Sequence, residues 1–255
     1  LFQIIEYFRA FLLGRLGWAR LNALLIISGA FGLFHKETVV STGGYKVGTI
    51  GEDMELVTRI HRHMRLNKKP YRITFIPDPI CWTEAPEDLK TLKNQRIRWQ
   101  RGLSESLIAN WQLLFHPRGG SLSWIAFPFH IIFEWLGPIV EATGFLFMPL
   151  GFLMGLVSYE AMFVFLFVTL GLGTLLSVSA LLLEEMCFHL YSKPEQLFIL
   201  FGISILENFG FRQLNTFWRL KGLIQWFTGR QAKWGEMQRK GTGILKEEAL
   251  PKLKK

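Results

Sequence analysis

The chain has 255 residues, half of them hydrophobic, and a mean hydropathy of +0.24, which is too apolar for an ordinary soluble enzyme. Its formal net charge is +9, but the basic residues lie beside apolar segments. Anionic lipid headgroups and a nucleotide diphosphate account for this charge, so we expect no nucleic acid partner. The two cysteines, Cys81 and Cys187, belong to no metal-ligand spacing and are expected to be reduced thiols.

The hydrophobic residues are distributed unevenly and divide the chain into three parts. Residues 1–120 are mixed and charged, residues 121–211 are mostly apolar, and residues 212–255 are basic again. We therefore expect a soluble part with an interfacial helix, a group of transmembrane helices and a juxtamembrane tail.

The first segment, residues 1–16, is apolar with Glu6, Arg9 and Arg15 spaced through it, which predicts an amphipathic helix. The helix lies either at a membrane surface or in the core of the soluble part.

Three apolar stretches of the soluble part, residues 24–34, 72–77 and 80–83, have the composition of β-strands. The first is interrupted by Ser28, Gly29 and Ala30, which are small enough for a ligand to approach the backbone, although a strand bend without a ligand explains them too. With the helices around them, these strands predict an α/β fold.

Residues 52–65 carry apolar side chains at helical spacing, and Asp53 falls in the first turn of this predicted helix. An aspartate at that position is usually a cap or a partner of the helix dipole. His61 and His63 are two residues apart, point in different directions on a helix and are expected to be solvated rather than to bind a metal.

A longer basic helix is predicted over residues 87–115. Within it, Gln95, Arg98 and Trp99 stand at i, i+3 and i+4, so an amide, a guanidinium and an indole emerge on one face. Such a face suits a sugar and a phosphate. The helix lies along the cytoplasmic leaflet or packs as an ordinary surface helix.

The apolar part contains one clear predicted span, residues 161–183. Residues 123–157 are apolar but interrupted by prolines, and residues 197–211 form a third apolar block, so the number of crossings stays open. Glu134 and Glu141 are expected to face a protein interior or a polymer path, unless they lie at the interface. The basic tail favours the cytoplasmic side.

Gly51-Glu52-Asp53, followed by Gln95-Arg96-Ile97-Arg98-Trp99 and then by apolar segments, resembles the membrane-integrated family 2 glycosyltransferases, which include cellulose, chitin, hyaluronan and poly-N-acetylglucosamine synthases. The resemblance implies the C-terminal part of a GT-A glycosyltransferase domain followed by transmembrane helices. It also implies a nucleotide-binding strand and an Asp-x-Asp site that this sequence does not contain. We therefore expect a longer protein, with Mg²⁺ or Mn²⁺ held in the missing N-terminal half and no metal ligand in this chain.

The resemblance assigns roles to particular residues. Asp53 is the implied general base, and Glu52 is its less direct neighbour. The implied groups for binding the donor phosphate and the acceptor are Gln95, Arg98 and Trp99, with Arg96 and Arg101 as further candidates. The acceptor site is implied to be lined by Ser28, Gly29, Ala30 and Phe31. In the tail, Trp234 with Arg230 and Arg239 matches a gate over the nucleotide, or forms a plain juxtamembrane anchor.

The implied activity is inverting transfer of a sugar from a UDP-sugar to the hydroxyl of a growing polysaccharide. The expected location is the plasma (inner) membrane, in contact with its lipids, with several crossings and a cytoplasmic catalytic part. Two alternatives remain. The protein transfers a single sugar to a lipid-linked acceptor, or it is a non-catalytic membrane subunit of a polysaccharide export complex.

Overall fold

The computed structural model describes residues 1–78, 80–81, 83–191 and 193–229, and every regular element in these ranges is helical. The prediction of an α/β fold is therefore wrong for the part of the chain described, because the stretches 24–34, 72–77 and 80–83 form no strand there. A strand is stabilised by a ladder to a neighbouring strand, and an apolar pattern does not supply that neighbour. Side chains make the connection instead: Asn22 Nδ2 donates to the Tyr71 carbonyl (3.1 Å), and Ile73 N donates to Asn22 Oδ1 (2.9 Å).

The first half of the chain forms five α-helices. They are α1 (Phe2–Tyr7), α2 (Gly14–Arg20), α3 (Lys36–Ser41), α4 (Glu52–Leu66) and α5 (Leu89–Ala109). A π-helical stretch, Phe8–Leu13, joins α1 to α2, so residues 2–20 form one continuous helical segment. Helix α5 begins where the side chain of Asp88 accepts a hydrogen bond from Thr91 N (2.8 Å), which is an N-cap.

The second half continues through two 3₁₀ turns into long apolar helices. The elements are the turns Trp111–Leu113 and Pro117–Gly119, the π-helical stretches Leu122–Ala126 and His130–Trp135 on either side of α6 (Phe127–Phe129), and then α7 (Gly137–Leu153), α8 (Tyr159–Cys187), α9 (Pro194–Leu206) and α10 (Phe211–Phe227). In the described ranges, two helical stretches, Leu122–Leu153 and Tyr159–Cys187, are long and apolar enough to cross a membrane. Helices α9 and α10 add a third if they form one span, although they bend by 56°.

Helix α10 packs closely along α5. A Cβ on Gly222 would lie 2.8 Å from the Ile97 carbonyl oxygen, so only glycine allows the two backbones to come so close. Trp218 of α10 packs in a buried cluster with Leu92 and Ile97 of α5. The first part of the predicted juxtamembrane tail, residues 212–227, thus belongs to a helix that packs on α5.

The two carboxylates of the first apolar stretch pair with arginines of α10, although both side chains are partly exposed. Glu141 pairs with Arg212 (2.7 Å) and accepts a hydrogen bond from Thr216 Oγ1 (2.6 Å), and Glu134 pairs with Arg219 (3.0 Å). Each charge therefore has a partner of opposite sign, which lowers the cost of placing it next to the bilayer.

The N-terminal helical segment is also fixed to the membrane helices. Arg9 Nη1 lies 2.6 Å from Ser177 Oγ of α8 and 2.6 Å from Glu207 Oε1, directly after α9. Ile5 lies in a buried cluster with Leu181 and Leu200. The segment predicted to be amphipathic thus packs against α8 and α9.

His61 is fully buried, so the prediction that it is solvated is wrong. Its Nε2–H donates to the Leu24 carbonyl (2.9 Å), and its Nδ1 therefore accepts from the Tyr71 hydroxyl (2.5 Å). Burial lowers the pKa of His61 to about 4, and the nearby Arg65 adds to this effect while the bond to Leu24 opposes it. The imidazole is neutral in the folded protein at pH 7 and holds residue 24 against α4.

This burial predicts a pH-dependent stability. The unfolded chain protonates His61 near pH 6.5, whereas the folded chain does so only near pH 4, so the unfolded state binds more protons between these values and stability falls as the pH falls. Lowering the pH from 7.5 to 5 should reduce the free energy of unfolding by about 2 kcal/mol more in the wild type than in His61→Gln. Denaturant titrations at both pH values measure this difference. Equal pH dependence in the two proteins would contradict it.

Candidate active site

The start of α4 crosses α5 at Gly102, three residues after Trp99. A Cβ on Gly51 would lie 3.0 Å from Gly102 Cα, so the two glycines let the backbones touch. Next to this contact, Ile50 N donates to Glu105 Oε2 (2.9 Å). Gly51-Glu52-Asp53 is thereby fixed on the helix that carries Gln95, Arg98 and Trp99.

Asp53 lies in the first turn of α4 beside the exposed segment 28–31. Its Oδ1 accepts a hydrogen bond from Met54 N (2.7 Å), and its Oδ2 lies 3.0 Å from the position that a Cβ on Gly29 would occupy. The predicted base and the predicted acceptor-lining segment are therefore adjacent. Ser28, Ala30 and Phe31 are exposed around this contact. Glu52, partly exposed, directly precedes Asp53.

The motif face of α5 offers both a polar and an aromatic group. Gln95 and Arg98 are partly exposed, and Trp99 is 38% exposed. Gln95 Oε1 is buried and accepts no hydrogen bond from any described residue. An acceptor atom in that state is suited to a ligand hydroxyl, and the indole is suited to stacking on a sugar ring.

Arg96 and Arg101, the further candidates for phosphate binding, are buried. Arg96 Nη2 pairs with Glu6 Oε2 (2.7 Å), and its guanidinium lies 4.4 Å from the Trp99 ring centroid. Burial lowers the pKa of Arg96 and raises that of Glu6, and the attraction between the two groups opposes both shifts. The Arg96 guanidinium therefore packs against the Trp99 ring and is not exposed to solvent.

Arg15 is a candidate site residue that the sequence analysis did not assign. Its guanidinium is buried over the Phe11 ring (4.0 Å), and its Nε donates to no acceptor in the described residues. Burial lowers the pKa of Arg15 to about 10, and attraction to the Asp53 carboxylate partly offsets this. The sequence signal was a basic residue four positions after an aromatic one inside an apolar helix, a pattern that also fits a simple amphipathic surface.

Phe11 connects the two halves of the site. Its ring centroid lies 6.1 Å from that of Trp99, and its face carries the Arg15 guanidinium. The segment 8–15 therefore runs between the predicted base on α4 and the predicted sugar platform on α5. A series of neighbouring groups thus links Asp53 to Trp99 through Arg15 and Phe11.

Within residues 1–78, 80–81, 83–191 and 193–229, no three His, Cys, Asp or Glu side chains come together in a group that could hold a metal ion. The expected Mg²⁺ or Mn²⁺ therefore stays a prediction. The proposed gate residue Trp234, with Arg230 and Arg239, lies outside the described residues.

The glycine contact predicts a large effect of one methyl group. In Gly102→Ala the new Cβ would lie 3.0 Å from Gly51 Cα, and neither backbone can yield without moving Asp53 relative to Trp99. We expect a loss of about 1–3 kcal/mol in stability. Thermal unfolding of the purified protein measures it. Gly17→Ala is the control, since a Cβ there meets nothing within 4 Å and should be neutral or stabilising, and an equal effect of both changes would refute the prediction.

Comparisons with known proteins show the family of the chain. The model of a family described as glycosyl transferase family group 2 matches residues 1–178. Over 87 residues, 34% of this chain, the sequence is 37% identical to poly-beta-1,6-N-acetyl-D-glucosamine synthases of Staphylococcus aureus strains COL and N315 and 32% identical to that of Staphylococcus epidermidis. The matched stretch is about 20% of the length of these relatives. No solved structure matches. Because the family match covers well over half of the sequence, the chain belongs to glycosyl transferase family group 2.

Proposed function

We propose that this chain forms the acceptor side of a membrane enzyme that transfers a sugar from a UDP-sugar to the hydroxyl of a growing polysaccharide. The observation that carries the proposal is that Asp53 lies beside Gly29. The Gly51–Gly102 contact also fixes the start of α4, which carries Asp53, against α5, the helix with Gln95, Arg98 and Trp99. The family match and the names of the relatives also support sugar transfer, and they suggest N-acetylglucosamine as the first sugar to test.

The proposed reaction is a single displacement with inversion. Asp53 takes the proton of the acceptor hydroxyl, whose oxygen forms a bond to the anomeric carbon of the donor. The bond from that carbon to the diphosphate oxygen breaks, and the diphosphate leaves with the electron pair. Arg98 offsets the developing negative charge, since a guanidinium stays ionised and binds phosphate oxygens bidentately. Trp99 carries the acceptor sugar, and Gln95 binds one of its hydroxyls.

The proposal also covers the placement of the chain. Residues 1–120 face the cytoplasm at the plasma membrane, residues 121–211 contain the membrane helices, and residues 212–255 return to the cytoplasmic side. The two apolar helical stretches support this arrangement. Membrane placement keeps a growing polymer beside a path across the bilayer.

The test is nucleotide release by the intact protein in lipid nanodiscs, across a panel of UDP-sugars, with the product sized by gel electrophoresis. We expect UDP release with one donor and products of many sugars. Products that stop after one addition to a lipid would favour a single-sugar transferase. No release with any donor from a folded protein supplied with Mg²⁺ or Mn²⁺ would refute the proposal and favour a non-catalytic subunit.

A further inference from the structure

A second polar surface lies away from the candidate active site, in the open cleft at the C-terminal end of α4. Four cationic side chains line it: Arg65, Lys68, Lys69 and Arg118. The cleft is closed at one side by Arg118, whose Nη1 donates to the Leu66 carbonyl at the end of α4 (3.2 Å). Residues far apart in sequence thus bring four positive charges to one place, with no acidic residue in the lining.

These four charges have no carboxylate partner among the described residues. Elsewhere among the described residues, five arginines do pair with a glutamate; they are Arg9, Arg59, Arg96, Arg212 and Arg219. A surface with four uncompensated cations is chemically complementary to an anion with several oxygens, such as a phosphate.

The cleft also contains a cationic side chain that hydrogen bonds hold in place. Arg65 is held by two contacts, Nε to the Tyr71 hydroxyl (3.0 Å) and Nη2 to the Asn22 carbonyl (3.2 Å). Asn22 in turn binds the backbone on both sides of residue 72. The guanidinium is therefore oriented before any ligand arrives, which reduces the entropy that binding would cost.

The surroundings of the cleft indicate a membrane surface. Arg118 precedes the first apolar stretch, which begins at Leu122. In the stretch around Arg118, Trp111, Phe115 and Trp124 are 66%, 50% and 56% exposed, and the rings of Phe115 and Trp124 lie 5.3 Å apart. Exposed aromatic rings next to basic residues at the end of a span are typical of the headgroup level of a bilayer.

We propose that this cleft binds the phosphate of an anionic membrane lipid. Arg65 and Arg118 contact the phosphate oxygens, Lys68 and Lys69 add charge, and the neighbouring aromatic rings lie among the headgroups. Binding ties the end of α4 to the bilayer. Through Tyr71 and His61 the same contacts reach the Leu24 carbonyl, so the lipid holds the segment before residue 28 at a fixed depth. This site is independent of the proposed transferase activity.

The test uses the purified chain in mixed micelles with equal amounts of phosphatidylglycerol and phosphatidylcholine, and native mass spectrometry of the retained lipids. The variant is Lys68→Gln/Lys69→Gln, which removes two exposed charges. We expect its phosphatidylglycerol affinity to fall about 30-fold with no change for phosphatidylcholine. The matched control, Lys36→Gln/Lys46→Gln, removes two exposed charges elsewhere and should bind as the wild type does.

A second variant and a competition arm complete the test. Arg118→Gln alone should weaken retention of phosphatidylglycerol in the same direction. Inorganic phosphate at the same concentration as the anionic lipid should not displace it, because the lipid is also held by the bilayer. The proposal is overturned if the double variant keeps the wild-type affinity, if the control loses as much, or if free phosphate displaces the lipid.

Discussion

The Asp53→Asn variant is expected to lose about two to four orders of magnitude in transfer rate, since a positioned general base contributes that much. Asparagine keeps the size of the side chain and cannot accept the proton of the acceptor hydroxyl. Asp53 is partly exposed at a helix start, and its described hydrogen bond is to the neighbouring Met54 amide, so the cost of the exchange to the fold should be limited to the lost attraction to Arg15. The loss should appear in kcat, with little change in KM for the donor.

Nucleotide release by the membrane-reconstituted protein measures this effect. Asp78→Asn is the matched control, because it makes the same chemical change at an exposed position outside the candidate site. The control should keep wild-type kcat. If Asp53→Asn also kept it, Asp53 would have no part in the reaction and the role of the α4 start would be purely structural.

The Arg96→Met variant should show the largest loss of stability, about 3–5 kcal/mol, because removing one partner of a buried ion pair leaves the other charge uncompensated. The Glu6 carboxylate would then keep only the hydrogen bond from the Asn215 amide (3.2 Å) and the weaker attraction of Arg9. The same change removes the guanidinium under Trp99. A fall in activity should therefore accompany the loss of stability.

A double variant separates the ion pair from simple side-chain loss. Glu6→Gln/Arg96→Met removes both charges and should recover most of the stability, since no buried charge remains. Arg98→Met on the same helix is the comparison for activity and should weaken donor use. If the double variant were as unstable as Arg96→Met, the uncompensated Glu6 charge would not be the cause of the stability loss.

The sequence was sufficient for those features that depend on local spacing. The helices around Asp53 and around Gln95, Arg98 and Trp99 follow from apolar residues at a period of 3.6, and α8 contains the span predicted for residues 161–183. The roles given to these side chains stay predictions, because spacing sets direction along a helix and not the chemistry of a ligand.

Features that depend on distant partners were not predictable in the same way. The predicted strands fail because no neighbouring strand in the described residues pairs with them. The Glu6–Arg96 pair joins residues 90 positions apart, and Gly222 meets Ile97 across a still longer separation. The burial of His61 likewise depends on Leu24 and Tyr71 closing over it. The spacing of residues along the sequence does not reveal such long-range contacts.

Because Arg9 is bonded to Ser177 of α8, the position of α8 in a bilayer would affect the geometry of the candidate site. Helix α8 has 29 residues and is about 44 Å long, whereas a hydrocarbon core is about 30 Å thick, so α8 as a membrane span would tilt or extend beyond the core. A change in its tilt would reach the N-terminal helical segment through Arg9. Arg15 lies six residues further along, about 9 Å away, beside Asp53. A thicker or thinner membrane would therefore change the spacing of the groups that surround the acceptor.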